Sequence, residues 1–184
     1  NSSGLVTFSG PPGVYTFTIP TDPSGYVRSP GNTGTAATAL VLSGQTAPAV
    51  PFGYYQPAQI SGQVFFDGAN AAADNAASGE PGVGSVTVRL RDGSDAIITT
   101  TTTLPDGTFT IPNVALGTYR LEFVNPNPAN FSFVAADTAD NRVASIVGDN
   151  GRTAPFPVNA SNQSIVRSAA LIGQSTVNGI TFVD

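Results

Sequence analysis

In three stretches between Ser85 and Phe123 apolar residues recur at every second position, a period that admits little besides a half-buried β-strand. In Ser85 to Arg91 (SVTVRLR), Val86, Val88 and Leu90 fall on one face and Thr87, Arg89 and Arg91 on the other. In Thr118 to Phe123 (TYRLEF), Tyr119, Leu121 and Phe123 oppose Thr118, Arg120 and Glu122, and Gly107 to Ile111 (GTFTI) adds a strand with Phe109 and Ile111 inward. Asp92-Gly93 and Asp106-Gly107 supply the turns, since the second residue of such a pair tolerates positive φ, and Gly117 closes the turn before the Tyr119 strand. The expectation is an all-β sandwich with Val64, Val86, Val88, Leu90, Phe109, Ile111, Tyr119, Leu121 and Phe123 in one core.

Ile60-Ser61-Gly62-Gln63-Val64-Phe65-Phe66-Asp67, Gly79-Glu80-Pro81-Gly82-Val83, Val86-Thr87-Val88, Asp106-Gly107-Thr108-Phe109 and Leu116-Gly117-Thr118-Tyr119 follow one another in an order and spacing that resembles the SdrD B-like repeats. These belong to the wider group similar to the B-type (Cna-B-like) domains of collagen-binding bacterial adhesins. The resemblance covers Gln59 to Gly173 and implies an immunoglobulin-like or prealbumin-like Greek-key β-sandwich, strung in tandem on an extracellular cell-surface protein. It implies a structural or adhesive role, with neighbouring copies or repeats as partners and a host or matrix protein or a glycan as a further one. The alternative is a carbohydrate-binding or spacer module of a secreted enzyme.

Composition narrows the chemistry. Only 10% of residues are charged, there are 20 Gly and 15 Pro, and cysteine and histidine are absent. All seven basic residues are arginines, so lysine is absent too. Serine hydrolysis of the usual kind needs histidine, Schiff-base chemistry needs lysine and thiol chemistry needs cysteine. An enzyme is therefore not expected. Without lysine the Lys-to-Asn isopeptide crosslink found in many relatives of this group cannot form. The net charge of −5 and pI near 4.4 argue against nucleic acid and anionic membranes as partners. No apolar run approaches the roughly 20 residues that span a bilayer, so direct membrane insertion is not expected. Glu80 and Glu122 are the only glutamates, and Glu122 falls on the outward face of its strand, where a solvated side chain is expected.

The flanks repeat parts of the centre. Gly4-Leu5-Val6-Thr7-Phe8 matches Gly107 to Ile111, and Pro12 to Phe17 matches Leu116 to Leu121. Val41 to Asp67 aligns without gaps against Val158 to Asp184, pairing Ile60 with Val177, Gly62 with Gly179 and Phe65 with Phe182. The expected organisation is the C-terminal half of one repeat in 1–57, a complete repeat in 58–173, and the opening strand of a next repeat in 174–184, a window on a tandem array. The half-repeat would leave Val6, Phe8, Tyr15, Phe17, Ile19, Leu40 and Leu42 as an uncovered apolar face. Val177, Ile180 and Phe182 of the tail could be donated to it by a neighbouring copy, which makes a head-to-tail filament.

Acidic residues concentrate in DGANAAADNAASGE and DTADNRVASIVGDN. The family's calcium loops have the form D-x-N-x-D/N-G-x-x-D-x-x-E, and oxygen ligands at short spacing before a late glutamate suit that hard cation. By that resemblance Asp67, Asn70, Asp74 and Glu80, with Asp137 or Asp140 across from them, are the expected calcium ligands. The copy departs from the pattern. Asn70 stands three residues after Asp67 instead of two, alanines occupy ligand positions, and the turn glycine is missing, so a solvated polar loop is the competing expectation. AAADNAAS in the same loop suits one or two helical turns. Tyr54 and Tyr55, beside Phe52, look like a sugar-stacking pair, but their place at a last strand favours packing.

Overall fold

The computed structural model of the protein describes residues 6–31, 34–67, 80–134 and 150–174, with no helix among them. The chain divides into two compact units, 1–56 and 57–184.

The second unit is a sandwich of two sheets. One is built on β5 (Ala58–Phe66), the longest strand. β8 (Thr108–Val114) pairs antiparallel along one edge of β5, from Gln63↔Thr108 to Ala58↔Val114. On its other edge β5 takes two short parallel strands in succession, β12 (Ser164–Val166) and β13 (Ala169–Gly173), and β10 (Phe131–Phe133) pairs with β13. The switch from β12 to β13 happens over Gly62. There Arg167 N donates to Ser61 O at 2.8 Å, and a Cβ at position 62 would lie 1.6 Å from Arg167 O. Only glycine lets the crossing chain come so near.

The other sheet is antiparallel throughout, in the order β11 (Phe156–Val158), β9 (Gly117–Phe123), β6 (Thr87–Asp92), β7 (Ile97–Thr102). Its register sets Val88 opposite Phe123 and Leu90 opposite Leu121, so the alternating apolar residues of β6 and β9 form one inner face. Phe109 of the facing sheet meets Phe123 edge to face at 5.6 Å between ring centroids. All nine expected core residues are buried, joined by Ala58, Ile60, Val114, Phe133, Phe156, Val158, Ile165, Ala169 and Leu171. Each fully buried Val, Leu or Phe contributes about 1.5–3 kcal/mol of transfer free energy.

The two Asp-Gly turns behave differently. Gly107 takes the expected positive φ of 79°. Between β6 and β7, however, the left-handed residue is Asp95 (φ 68°) and not Gly93. Asp92 explains the change. Its Oδ1 accepts from Ser94 N (2.9 Å), Ser94 Oγ (2.7 Å) and Ala96 N (3.0 Å), which builds an Asx turn over residues 92–94 and moves the chain reversal two positions on.

The first unit contains two two-stranded antiparallel pairs, β1 (Gly13–Thr18) with β3 (Ala36–Val41) and β2 (Val27–Arg28) with β4 (Tyr54–Tyr55). Phe8 meets Tyr15 edge to face and Phe17 at a tilt, at 5.5 and 5.3 Å between centroids. The register pairs Tyr15 with Ala39 and Phe17 with Ala37, but Val14 with Leu40. Leu40 therefore lies on the opposite face from Tyr15 and Phe17, which corrects the single apolar face expected above: a strand's side alternates at each residue and the pairing register decides which sets combine.

Candidate functional site

The polar centre of the sandwich lies on the outward face of the antiparallel sheet, around Glu122. The β6–β9 register sets Arg89 directly opposite Glu122, and an isolated bridge sets Arg152 opposite it on the other side. Glu122 Oε2 accepts from Arg91 Nε (2.9 Å) and Nη2 (2.7 Å) and from Arg89 Nη1 (3.3 Å), while Oε1 accepts from Arg152 Nη2 (3.0 Å) and Nε (3.3 Å). Arg152 continues to Asp95 at 3.2 Å, and Arg91 Nη1 donates to Asp95 O at 2.7 Å. One carboxylate thus ties together β6, β9, the chain at residue 152 and the β6–β7 turn.

This corrects the expectation for Glu122. The side chain is outward, but only 15% exposed and gripped by three guanidiniums. Burial by itself would raise its pKa, yet hydrogen bonds from Arg91, Arg152 and Arg89 outweigh that and hold the carboxyl below its ordinary 4.5. A carboxylate kept ionised in this way is not poised to give or take a proton near neutrality. Its role is to hold the sheet. Because the folded pKa lies below the unfolded one, the cluster's stabilisation is fully present above about pH 4.5 and disappears as pH falls through the lowered folded value. Glu122→Gln should therefore cost about 1.5–3 kcal/mol at pH 7, in line with hydrogen bonds to a charged group, and should flatten the acid limb of the stability profile. Urea midpoints of both proteins between pH 3 and 7 check this; parallel profiles would mean the cluster contributes nothing.

The expected calcium ligands are only partly described. Asp67 directly follows β5 and is 6% exposed, with its amide donating to Leu171 O at 2.9 Å. Glu80 is half-buried at the far end of the loop. The backbone brings the two ends together, since Phe66 N donates to Pro81 O at 2.9 Å and Phe65 bridges Gly82. Asn70, Asp74, Asp137 and Asp140 lie outside the described residues, as do the AAADNAAS segment and Val177, Ile180 and Phe182. Two carboxylates at the ends of the loop fit a hard cation in kind but not in number, because calcium takes about six to eight oxygens. Among the described residues no group of three or more acidic, histidine or cysteine side chains converges.

Of the expected assembly residues in the first unit, Tyr15 and Phe17 are half-covered beneath Phe8, and Val6 is 81% exposed. Tyr54 and Tyr55 are both half-buried. Tyr54 donates to Asp22 Oδ1 at 2.9 Å and its ring lies under Arg28, 5.5 Å from the centroid, with Arg28 also paired to Asp22. One face of the Tyr54 ring is thus taken by a guanidinium.

The Glu122 cluster was half visible beforehand. Outward Arg89, Arg91 and Glu122 were legible from alternation, but their meeting depends on the register, and no local signal marks Arg152.

A family model described as the SdrD B-like domain matches residues 58–171. Serine-aspartate repeat-containing protein D of Staphylococcus aureus strain Newman is 27% identical over 113 residues, covering 57% of this chain and 8% of that protein. The chain thus spans a small part of the curated relatives it matches. Among solved structures, GBS52, the minor pilin of Streptococcus agalactiae, aligns at 10% identity over 89% of this chain and 66% of that one, with a TM-score of 0.46. BcpA, the major pilin subunit of Bacillus cereus, aligns at 8% identity over 76% and 37%, with a TM-score of 0.43.

Proposed function

This chain belongs to the SdrD B-like domain family, and from that premise we propose that it is a structural module of an extracellular surface protein, working as a segment of a stalk or fibre and not as a catalyst. The observation that carries the reading is the family match across the whole sandwich, 58–171. The Glu122 cluster agrees with it, since Arg89, Arg91, Arg152 and Glu122 are engaged in holding strands together.

The association we propose is head to tail. Two-stranded sheets are marginal alone, and three or more strands or a covering element are needed for independent stability. The β1–β3 pair with exposed Val6, Val14 and Leu40 is in that position. A strand donated from residues 175–184 of a neighbouring copy, with Ile180 and Phe182 on one face and Val177 on the other, would extend that pair by β-augmentation. Such a contact is heterologous and propagates. Deleting residues 175–184 should abolish assemblies larger than a dimer in sedimentation velocity. A deleted protein that still builds assemblies of many copies would remove the tail from the account.

Calcium at the Asp67 to Glu80 loop is part of the same proposal, with the remaining ligands drawn from the two acidic segments. An ion that binds the folded state alone raises the melting temperature by mass action. A melting curve that is the same in chelator and in millimolar calcium retires it.

A further inference from the structure

Among the described residues the sandwich has several strand edges, and all but one are short or guarded. β10, β11 and β12 are three residues each, and β11 carries Pro157. β8 is longer, but Val64 N donates to Gly107 O and Leu104 N to Thr108 O, so by alternation Thr108, Thr110 and Pro112 turn their backbones to the free edge. There the missing N–H of Pro112 breaks the row of donors, and Asn113 follows at φ 58°. Among the described residues β7 carries no such break in its row of donors and acceptors, and the strand nearest its outer side is β8 of the facing sheet. Its six residues, Ile97 to Thr102, are all β-branched and uncharged. Val124 N donates to Thr87 O and Thr103 N to Val86 O, so Thr99, Thr101 and Thr103 face β6, while Thr100 and Thr102 present their N–H and C=O groups outward. A long, unguarded, uncharged edge is a template for another strand.

We propose that β7 joins two copies of this chain, edge to edge and antiparallel, so that two four-stranded sheets become one. A second β7 suits this edge for two reasons. The chain carries a net charge of −5 but β7 carries none, and at the dyad itself the charges that face each other are the two Arg89 side chains, three strand spacings or about 14 Å apart and beyond the screening length of about 8–10 Å. The exposed apolar residues also complement each other. Ile97 and Ile98 are 49% and 54% exposed at one end, Leu104 is 59% exposed just past the other, and an antiparallel dyad lays each Ile end against the other copy's Leu104. Pairing of outward-facing groups sets Thr100 opposite its own counterpart. The contact is isologous and closed, and does not involve residues 175–184.

The test is made on the full chain by sedimentation velocity and amide hydrogen exchange across a micromolar to submillimolar series. A dimer should fill with concentration, and exchange at Thr100 and Thr102 should slow by about tenfold or more while Thr99 is unchanged. Thr100→Pro removes an outward N–H without touching the β6 ladder, and the pair Thr100→Lys with Thr102→Lys puts charge at the dyad; either should give a monomer with a native melting curve. Deletion of 175–184 should leave the dimer in place. A wild type monomeric throughout, a dimer that survives both sets of substitutions or is lost with the tail, or edge amides protected independently of concentration would each overturn the proposal.

Discussion

Gly107→Ala is expected to cost more than about 4 kcal/mol or to prevent folding, a size of effect reserved for a few mechanisms. Gly107 has φ 79°, and a Cβ there would lie 2.1 Å from Val64 O, 2.8 Å from Val83 N and 2.9 Å from Gly82 Cα. The left-handed conformation alone costs a non-glycine residue about 1–2 kcal/mol. The larger part is the clash, because the three neighbours are backbone atoms already engaged: Val64 O accepts from Val83 N at 2.8 Å, and Val64 N donates to Gly107 O at 2.9 Å. Relief would require β5 and β8 to part where they meet. Gly93→Ala is the contrast, since no atom lies within 4 Å of its Cβ position and its φ is not positive, so its effect should stay within about 0.5 kcal/mol. Guanidinium unfolding of both variants checks the pair; equal losses would mean that both Asp-Gly turns depend on a left-handed glycine.

Leu121→Ala should destabilise the sandwich by about 2–5 kcal/mol, the range for deleting a buried leucine side chain. Leu121 is fully buried, faces Leu90 across the β6–β9 ladder, and its amide is held by Thr153 Oγ1 at 3.0 Å, so the strand cannot easily collapse into the space left. Leu40→Ala in the first unit removes an exposed side chain and should change stability by less than about 0.5 kcal/mol. A loss below that size at Leu121 would mean that the faces of β9 are reversed.

How far the fold could be read in advance depended on how local each cause was. β6, β8 and β9 were legible because a half-buried strand writes its period into its own residues, and Val88, Leu90, Phe109, Leu121 and Phe123 went where alternation put them. β7 carries no alternation. Its run of threonines says strand but not edge, and only the sheet order shows that one side of it is unpaired. The parallel addition of β12 and β13 to β5 was equally hidden, because pairing across about a hundred positions leaves no local trace beyond Gly62, whose need becomes visible only when Arg167 crosses it. Glu122 shows the same limit at the candidate site. Its outward direction follows from TYRLEF, while its burial depends on three arginines that the register and residue 152 bring to it. In the first unit, apolarity alone groups Leu40 with Tyr15, and the register separates them.

Electron microscopy of the intact protein, at concentrations where sedimentation shows material larger than a dimer, tests the proposed role most directly. The account predicts beaded fibres, joined side by side where β7 edges pair, which fall to closed pairs when residues 175–184 are removed. Uniform single particles or closed pairs at every concentration, with no fibres, would contradict it.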